Sequence, residues 1–306
     1  MEFLRFLEGL RTPLFDAVFA AATHLGEETF FMALAILLFW CINKRYGYYC
    51  FFVGFVGTAI SQFLKLLCRI PRPWVLDPGF TIVESARAKA IGYSFPSGHT
   101  QNAVGTFAVL GLMVQKKWLK ILCAVPIVIV PFSRMYLGVH TPLDVGVAFF
   151  SSLLLVALLW PCFKNDDRFV KTAWYLLLGI GVLCVLYVVF VCTYRFPADV
   201  DAENLFQGTK NAYILLSCAL GLVITYWYDS RKLHFSTEAP FWGQVLKLVL
   251  GLGIAMGIRI GLKPLLNLMF GDRMLNNAIR YFVMVLFCGC VWPRTFPFWA
   301  KIGRKS

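Results

Sequence analysis

Apolar runs long enough, or nearly long enough, to cross a bilayer recur along this chain, and no other feature constrains its fold as much. A spanning helix needs roughly 17–25 predominantly apolar residues. Such runs are read at 28–42, 48–67, 98–114, 119–134, 143–162, 173–193, 211–228, 244–262 and 278–293. Hydrocarbon offers no water to backbone N–H and C=O groups, so each span is expected to be a helix. Composition agrees: 59% of the 306 residues are hydrophobic and 15% charged, with a mean hydropathy of +0.70. A soluble domain carries more charge. The expected fold class is all-α, a polytopic membrane helix bundle.

Residues 1–27 fall outside this scheme. Phe3, Leu4, Phe6, Leu7 and Leu10 alternate with Arg5, Glu8 and Arg11, the pattern of a short interfacial amphipathic helix. Pro13 to Leu25 is apolar but too short to span, which suggests a re-entrant or tilted segment. No cleavable signal peptide is expected, because no basic start leads into a long apolar core. The net charge of +13 reads as Lys and Arg in cytoplasmic loops beside anionic lipid. A nucleic-acid partner is not expected, since no basic run is long or interleaved with exposed aromatics. Most of the ten cysteines sit inside apolar runs as small core residues, and their spacing fits neither a zinc site nor a disulfide framework.

Three polar clusters interrupt the apolar pattern between Lys65 and Asp144. The first is Lys65, then Arg72-Pro73. The second is Pro96-Ser97-Gly98-His99, where Ser97 suits the N-cap of the helix that follows. A helix start presents free N–H groups and a positive dipole end, a ready anion site, and Gly98 allows close backbone approach. The third is Ser133-Arg134, His140 and Asp144. Thr141 can cap a helix that has Pro142 in its first position and Asp144 three residues after the cap. Asp144 is then near enough to accept a hydrogen bond from one ring nitrogen of His140, leaving the other free to attack. Lys65, Arg72 and Arg134 each lie at a span end, where a charge must reach water or a partner, and three of them on one face imply an anion. The long connection 69–97 joins the first two clusters and is expected to be functional.

Lys65-x6-Arg72-Pro73, Pro96-Ser97-Gly98-His99 and Ser133-Arg134-x5-His140-x3-Asp144 together resemble the signature of the type 2 phosphatidic acid phosphatase (PAP2) family, in order and complete. The resemblance covers about residues 25–165. It implies a PAP2-like helical membrane core whose site uses no metal and no other cofactor. It further implies that Lys65, Arg72 and Arg134 bind phosphoryl oxygens, with Ser97 and Gly98 adding donors. By the same resemblance His140 attacks phosphorus to give a phosphohistidine, Asp144 orients it, and His99 protonates the leaving oxygen and later activates water.

The expected organisation is therefore 1–27 as N-terminal interfacial or re-entrant helices, 28–165 as catalytic membrane core, and 166–306 as a C-terminal transmembrane extension. Added C-terminal helices are also a feature of sphingosine-1-phosphate phosphatases. The extension could shape a lipid-tail groove, bind a second ligand or mediate a homodimer. Gly251, Gly253, Gly257 and Gly261 around Arg259 suggest close helix packing.

The expected function is a membrane-embedded phosphatase for a phosphomonoester or pyrophosphate lipid. The alternatives are a lipid phosphotransferase and a non-catalytic transporter or scaffold with the same fold. The expected partners are the lipid phosphate and the membrane lipids. Lys44-Arg45, Lys116-Lys117-Lys120, Lys164-Arg168-Lys171, Arg231-Lys232 and Lys301-Arg304-Lys305 mark the cytoplasmic connections, so all three clusters fall on the outer face. That fits a bacterial plasma membrane with an extracytoplasmic site, or an ER membrane with a lumenal one.

Overall fold

A computed structural model describes residues 1–271 and 273–303, so Arg304 and Lys305 of the basic tail lie outside the described residues. Every regular element among them is a helix. In chain order these are α1 (Glu2–Gly9), α2 (Pro13–Thr23), α3 (Glu28–Leu37), α4 (Lys44–Cys68), α5 (Pro73–Leu76), α6 (Gly98–Met113), α7 (Lys117–Tyr136), α8 (Pro142–Phe163), α9 (Asp166–Thr193), α10 (Ala202–Tyr228), α11 (Phe241–Phe270), α12 (Met274–Leu286) and α13 (Phe296–Trp299). Among the described residues, seven helical segments are long and apolar enough to cross a membrane, or eight if Pro13–Gly26 and Glu28–Ile42, bent by 49°, form one broken span. The chain is thus an integral membrane protein with about seven spans. The nine expected runs include two that fall short by this measure. The run at 28–42 is one arm of the bent pair, and the run at 98–114 is the 16-residue α6. α6 carries Gln101, Asn102 and Thr106, and it buries Gln101 and Thr106.

The helices divide into two compact units. One unit joins residues 1–32, 49–164 and 197–208; the other joins 33–48, 165–196 and the chain from 209. Helices pack with their spatial neighbours, so the beginning of α10 belongs with the first unit although it follows α9 in sequence.

In the first unit α6 packs between α7 and α8. It also meets α4 closely: a Cβ on Gly105 would lie 2.9 Å from Val53 Cγ1. The starts of α6 and α8 and the ends of α4 and α7 meet at one end of this unit. α1 buries Leu4 and Leu7, while its polar side holds the connection 69–97. Arg5 pairs with Asp77 at 2.6 Å, and Glu8 accepts the amide of Thr81 at 2.8 Å. The amphipathic pattern of residues 1–10 therefore serves packing on a loop as well as on an apolar layer. In the same unit, a Cβ on Gly208 of α10 would lie 2.6 Å from Leu66 of α4.

The second unit buries Lys247 of α11 completely. Its ammonium donates to the carbonyls of Trp40 (2.9 Å) and Thr237 (3.1 Å) and lies 4.4 Å from the Phe296 ring centroid. Lys44 pairs with Asp229 at 2.8 Å. Gly251 is packed under Trp40 and Trp292, whereas a Cβ at Gly253, Gly257 or Gly261 would meet nothing within 4 Å. Only the first of the four glycines thus makes the expected close approach. Arg280 donates to the Arg259 carbonyl at 3.3 Å and to Asn277 at 3.0 Å.

Candidate active site

Two capped helix starts organise the site. At α6 the Ser97 hydroxyl accepts the Thr100 amide at 3.4 Å, as its spacing implies. At α8 Thr141 and Asp144 form a reciprocal capping box: Asp144 N–H to Thr141 Oγ1 at 3.3 Å, Thr141 N–H to Asp144 Oδ2 at 2.7 Å. The Ser97 amide donates to the Asp144 carbonyl at 3.1 Å and ties the two starts together. That amide is therefore engaged, and the Ser97 hydroxyl hydrogen is what this residue has left to offer an anion. A Cβ on Gly98 would meet no atom within 4 Å, so the space beside its backbone is open.

His140 is 2% exposed and Asp144 0%. His140 Nδ1 lies 3.6 Å from Asp144 Oδ2, too far for a hydrogen bond. Ser94 completes the link: its Oγ is 3.3 Å from Nδ1 and donates to Asp144 Oδ2 at 2.6 Å. The direct His–Asp contact expected from spacing is thus relayed through a hydroxyl. On the other side of the ring, Arg72 Nη1 stands 3.0 Å from Nε2. A guanidinium can only donate, so Nε2 carries the lone pair and Nδ1 carries the hydrogen, which points to Ser94. Burial, and then the positive charge of Arg72, Arg134, Lys65 and His99, hold His140 well below the usual histidine range. The imidazole is therefore neutral near pH 7, with its lone pair on Nε2.

The three cations expected on this site are all there and all buried. Arg72 is anchored by the carbonyls of Gly92 (3.0 Å), Ile91 (3.0 Å) and Val139 (2.9 Å). Lys65 donates to the Tyr93 carbonyl at 2.5 Å and lies 3.4 Å from that of Ser94. The connection 69–97 thus wraps its backbone around both charges, and its last turn supplies Ser94. Arg134, 1% exposed, gives one N–H to Thr23 Oγ1 at 2.9 Å, while its Nε and Nη2 are buried without a partner. His99 Nε2 is buried without a partner as well. Unmatched donors cost free energy when buried, and a bound anion would repay that cost.

Ser94 is the site residue that sequence reading passed over. Serine in a loop carries no pattern of its own, and only its place two residues before Pro96 hinted at a role. Ser94→Ala is expected to lower kcat about tenfold, the worth of one hydrogen bond to a charged group. Steady-state phosphate release measures it, and an unchanged kcat would show the relay to be idle. Gly208→Leu would push on Leu66, the neighbour of Lys65. It is expected to lower kcat/KM by about tenfold or more, because small displacements of a charged donor are costly. The same assay reads it, against a thermal melt for folding.

The comparisons with known proteins bear on the same residues. A family model described as the PAP2 superfamily matches residues 45–168, and one described as PAP2 superfamily phosphatase, transmembrane extension, matches 213–299. Phosphatidylglycerophosphatase B of Bacillus subtilis is 30% identical over 53% of this chain and 80% of its own length. Sphingosine-1-phosphate phosphatase 1 of Mus musculus is 23% identical over 79% of this chain and 58% of its own. Undecaprenyl-diphosphatase of Sulfolobus acidocaldarius is 31% identical over 39% of this chain and 56% of its own. The chain therefore spans most of the first relative and little more than half of the other two. No solved structure matches. A PAP2 match that encloses Lys65 through Asp144, followed by a match to the family's own extension, means that this chain belongs to the PAP2 superfamily of membrane phosphatases.

Proposed function

We propose that the protein releases phosphate from a membrane lipid phosphate, monoester or diphosphate, by way of a phosphohistidine on His140. The observation that carries this reading is the neutral, buried His140, whose Nε2 lone pair faces Arg72 and whose Nδ1 hydrogen faces Ser94 and Asp144. The phosphoryl group sits among Lys65, Arg72 and Arg134, with the Ser97 hydroxyl and the Gly98 amide at the start of α6. His140 Nε2 attacks phosphorus, the bond to the lipid oxygen breaks, and His99 delivers a proton to that oxygen. His99 then takes a proton from water, the hydroxide attacks phosphorus, and the P–N bond breaks to free phosphate and His140. The bound phosphate's negative charge favours the protonated form of His99 in the first step. Charge spread over the transferring oxygens is met by three fixed cations, so positioning and electrostatics supply the catalysis.

The site would face the extracytoplasmic or lumenal side, opposite the basic connections. The names of the relatives, a phosphatidylglycerophosphatase, a sphingosine-1-phosphate phosphatase and an undecaprenyl-diphosphatase, support a lipid phosphate and leave the head group open. The test is inorganic phosphate release from a panel of lipid phosphates by the purified protein in excess chelator. Full turnover is expected, because Lys65, Arg72 and Arg134 already supply the positive charge. Activity that only a divalent metal restores would overturn the charge assignment, and a phosphorylated acceptor in place of free phosphate would make the protein a phosphotransferase.

A further inference from the structure

The direction in which the Arg134 guanidinium points is set from outside its own helix. Nη1 donates to Thr23 Oγ1 at 2.9 Å, while Nε and Nη2 are buried without a partner. Nη1 is the terminal nitrogen cis to Cδ, so Nε–H and one Nη2–H point the same way and form a two-pronged edge. Such an edge matches two oxygens of one phosphoryl group. Thr23 therefore takes the nitrogen that this edge does not use and leaves both prongs free.

Thr23 is itself held in place. It ends α2, is buried, and lies outside the stretch from Lys65 to Asp144 that carries the three polar clusters. α2 packs against α7, the helix of Arg134. Phe19 meets Phe132 and Tyr136 with ring centroids 5.3 and 4.5 Å apart, and the Tyr136 hydroxyl donates to Asp16 at 3.0 Å. Just past Thr23, a Cβ on Gly26 would lie 2.6 Å from the His99 carbonyl oxygen and 2.8 Å from Val130 Cγ1. Glycine thus lets this turn rest against both α6 and α7. Asn102 of α6 donates to the Gly26 carbonyl at 3.3 Å and closes the contact. We propose that Thr23 is a positioning residue for phosphoryl transfer, fixing the rotation of the Arg134 guanidinium so that its Nε–Nη2 edge takes two phosphoryl oxygens. This rests on the phosphatase reading above.

Thr23→Val keeps the shape and removes the hydroxyl. It is expected to lower kcat/KM for a lipid phosphate about tenfold, since a small displacement of a charged donor is costly. Thr23→Ser restores the hydroxyl on a less restrained side chain and should recover the loss to within about threefold of wild type. Thr23→Ala, which adds no bulk, repeats the valine measurement without overpacking. The cycle with Arg134→Met separates positioning from folding. In that background Thr23→Val should change kcat/KM by less than about twofold, because no guanidinium remains to be aimed. A merely structural Thr23 would lose the same factor in both backgrounds. That result, wild-type turnover by both the valine and alanine variants, or no recovery by serine overturns the Thr23 assignment alone. Absence of phosphate release by the wild-type protein from every member of the lipid panel overturns the phosphatase reading and this inference with it.

Discussion

His140→Asn is expected to lower phosphate release by a factor on the order of 10⁴ or more, as loss of a covalent nucleophile does in other enzymes. Asparagine keeps a polar side chain in reach of Arg72 and fills part of the imidazole volume, so the fold should survive. The check is twofold. Initial rates give the loss, and rapid quenching with labelled lipid phosphate shows whether protein-bound phosphate forms. Wild-type protein should trap an acid-labile phosphoprotein and the variant none. A variant that still becomes labelled would move the nucleophile to another residue, with His99 the first to consider.

Arg134→Met is expected to move activity and stability in opposite directions. Its guanidinium is buried, holds one hydrogen bond to Thr23 and leaves Nε and Nη2 unmatched. It also lies in the field of other cations. Removing one buried donor to a transition-state oxyanion costs about 10²–10³ in kcat. Replacing a poorly compensated buried charge by an apolar side chain is often neutral or stabilising, by about 1–4 kcal/mol. The ligand-free variant should therefore melt at the wild-type temperature or a few degrees above, while phosphate release falls by about two to three orders of magnitude. Addition of inorganic phosphate should raise the melting temperature of the wild-type protein and not of the variant. A destabilised variant with normal turnover would make Arg134 a structural residue.

Much of the site can be read in one dimension because helix starts have local signatures. Ser97 before α6, and Thr141-Pro142 with Asp144 before α8, act within four residues of themselves, and the structure caps both helices as that spacing implies. Lys65, Arg72 and Arg134 stand out because charges at the edges of apolar runs are rare and expensive there. The amphipathic residues 1–10 likewise announce a helix, and α1 occupies 2–9. Ser94 and Thr23 announce nothing. Each gains its role from a partner 46 or 111 residues away in the chain.

The grouping of the helices shows the same limit. A hydropathy pattern places each span within a few residues, yet it cannot say which spans pack together. Residues 33–48 group with the C-terminal helices, and residues 197–208 return to the catalytic unit. Burying backbone in lipid forces helices, and capping chemistry starts them, so spans, caps and the reaction class follow from the order of residues. Which nitrogen of His140 carries the lone pair and what joins it to Asp144 depend on side chains brought together from distant segments. Those contacts are made by packing, which follows the shapes and hydrogen bonds of whole helices and not their sequence spacing.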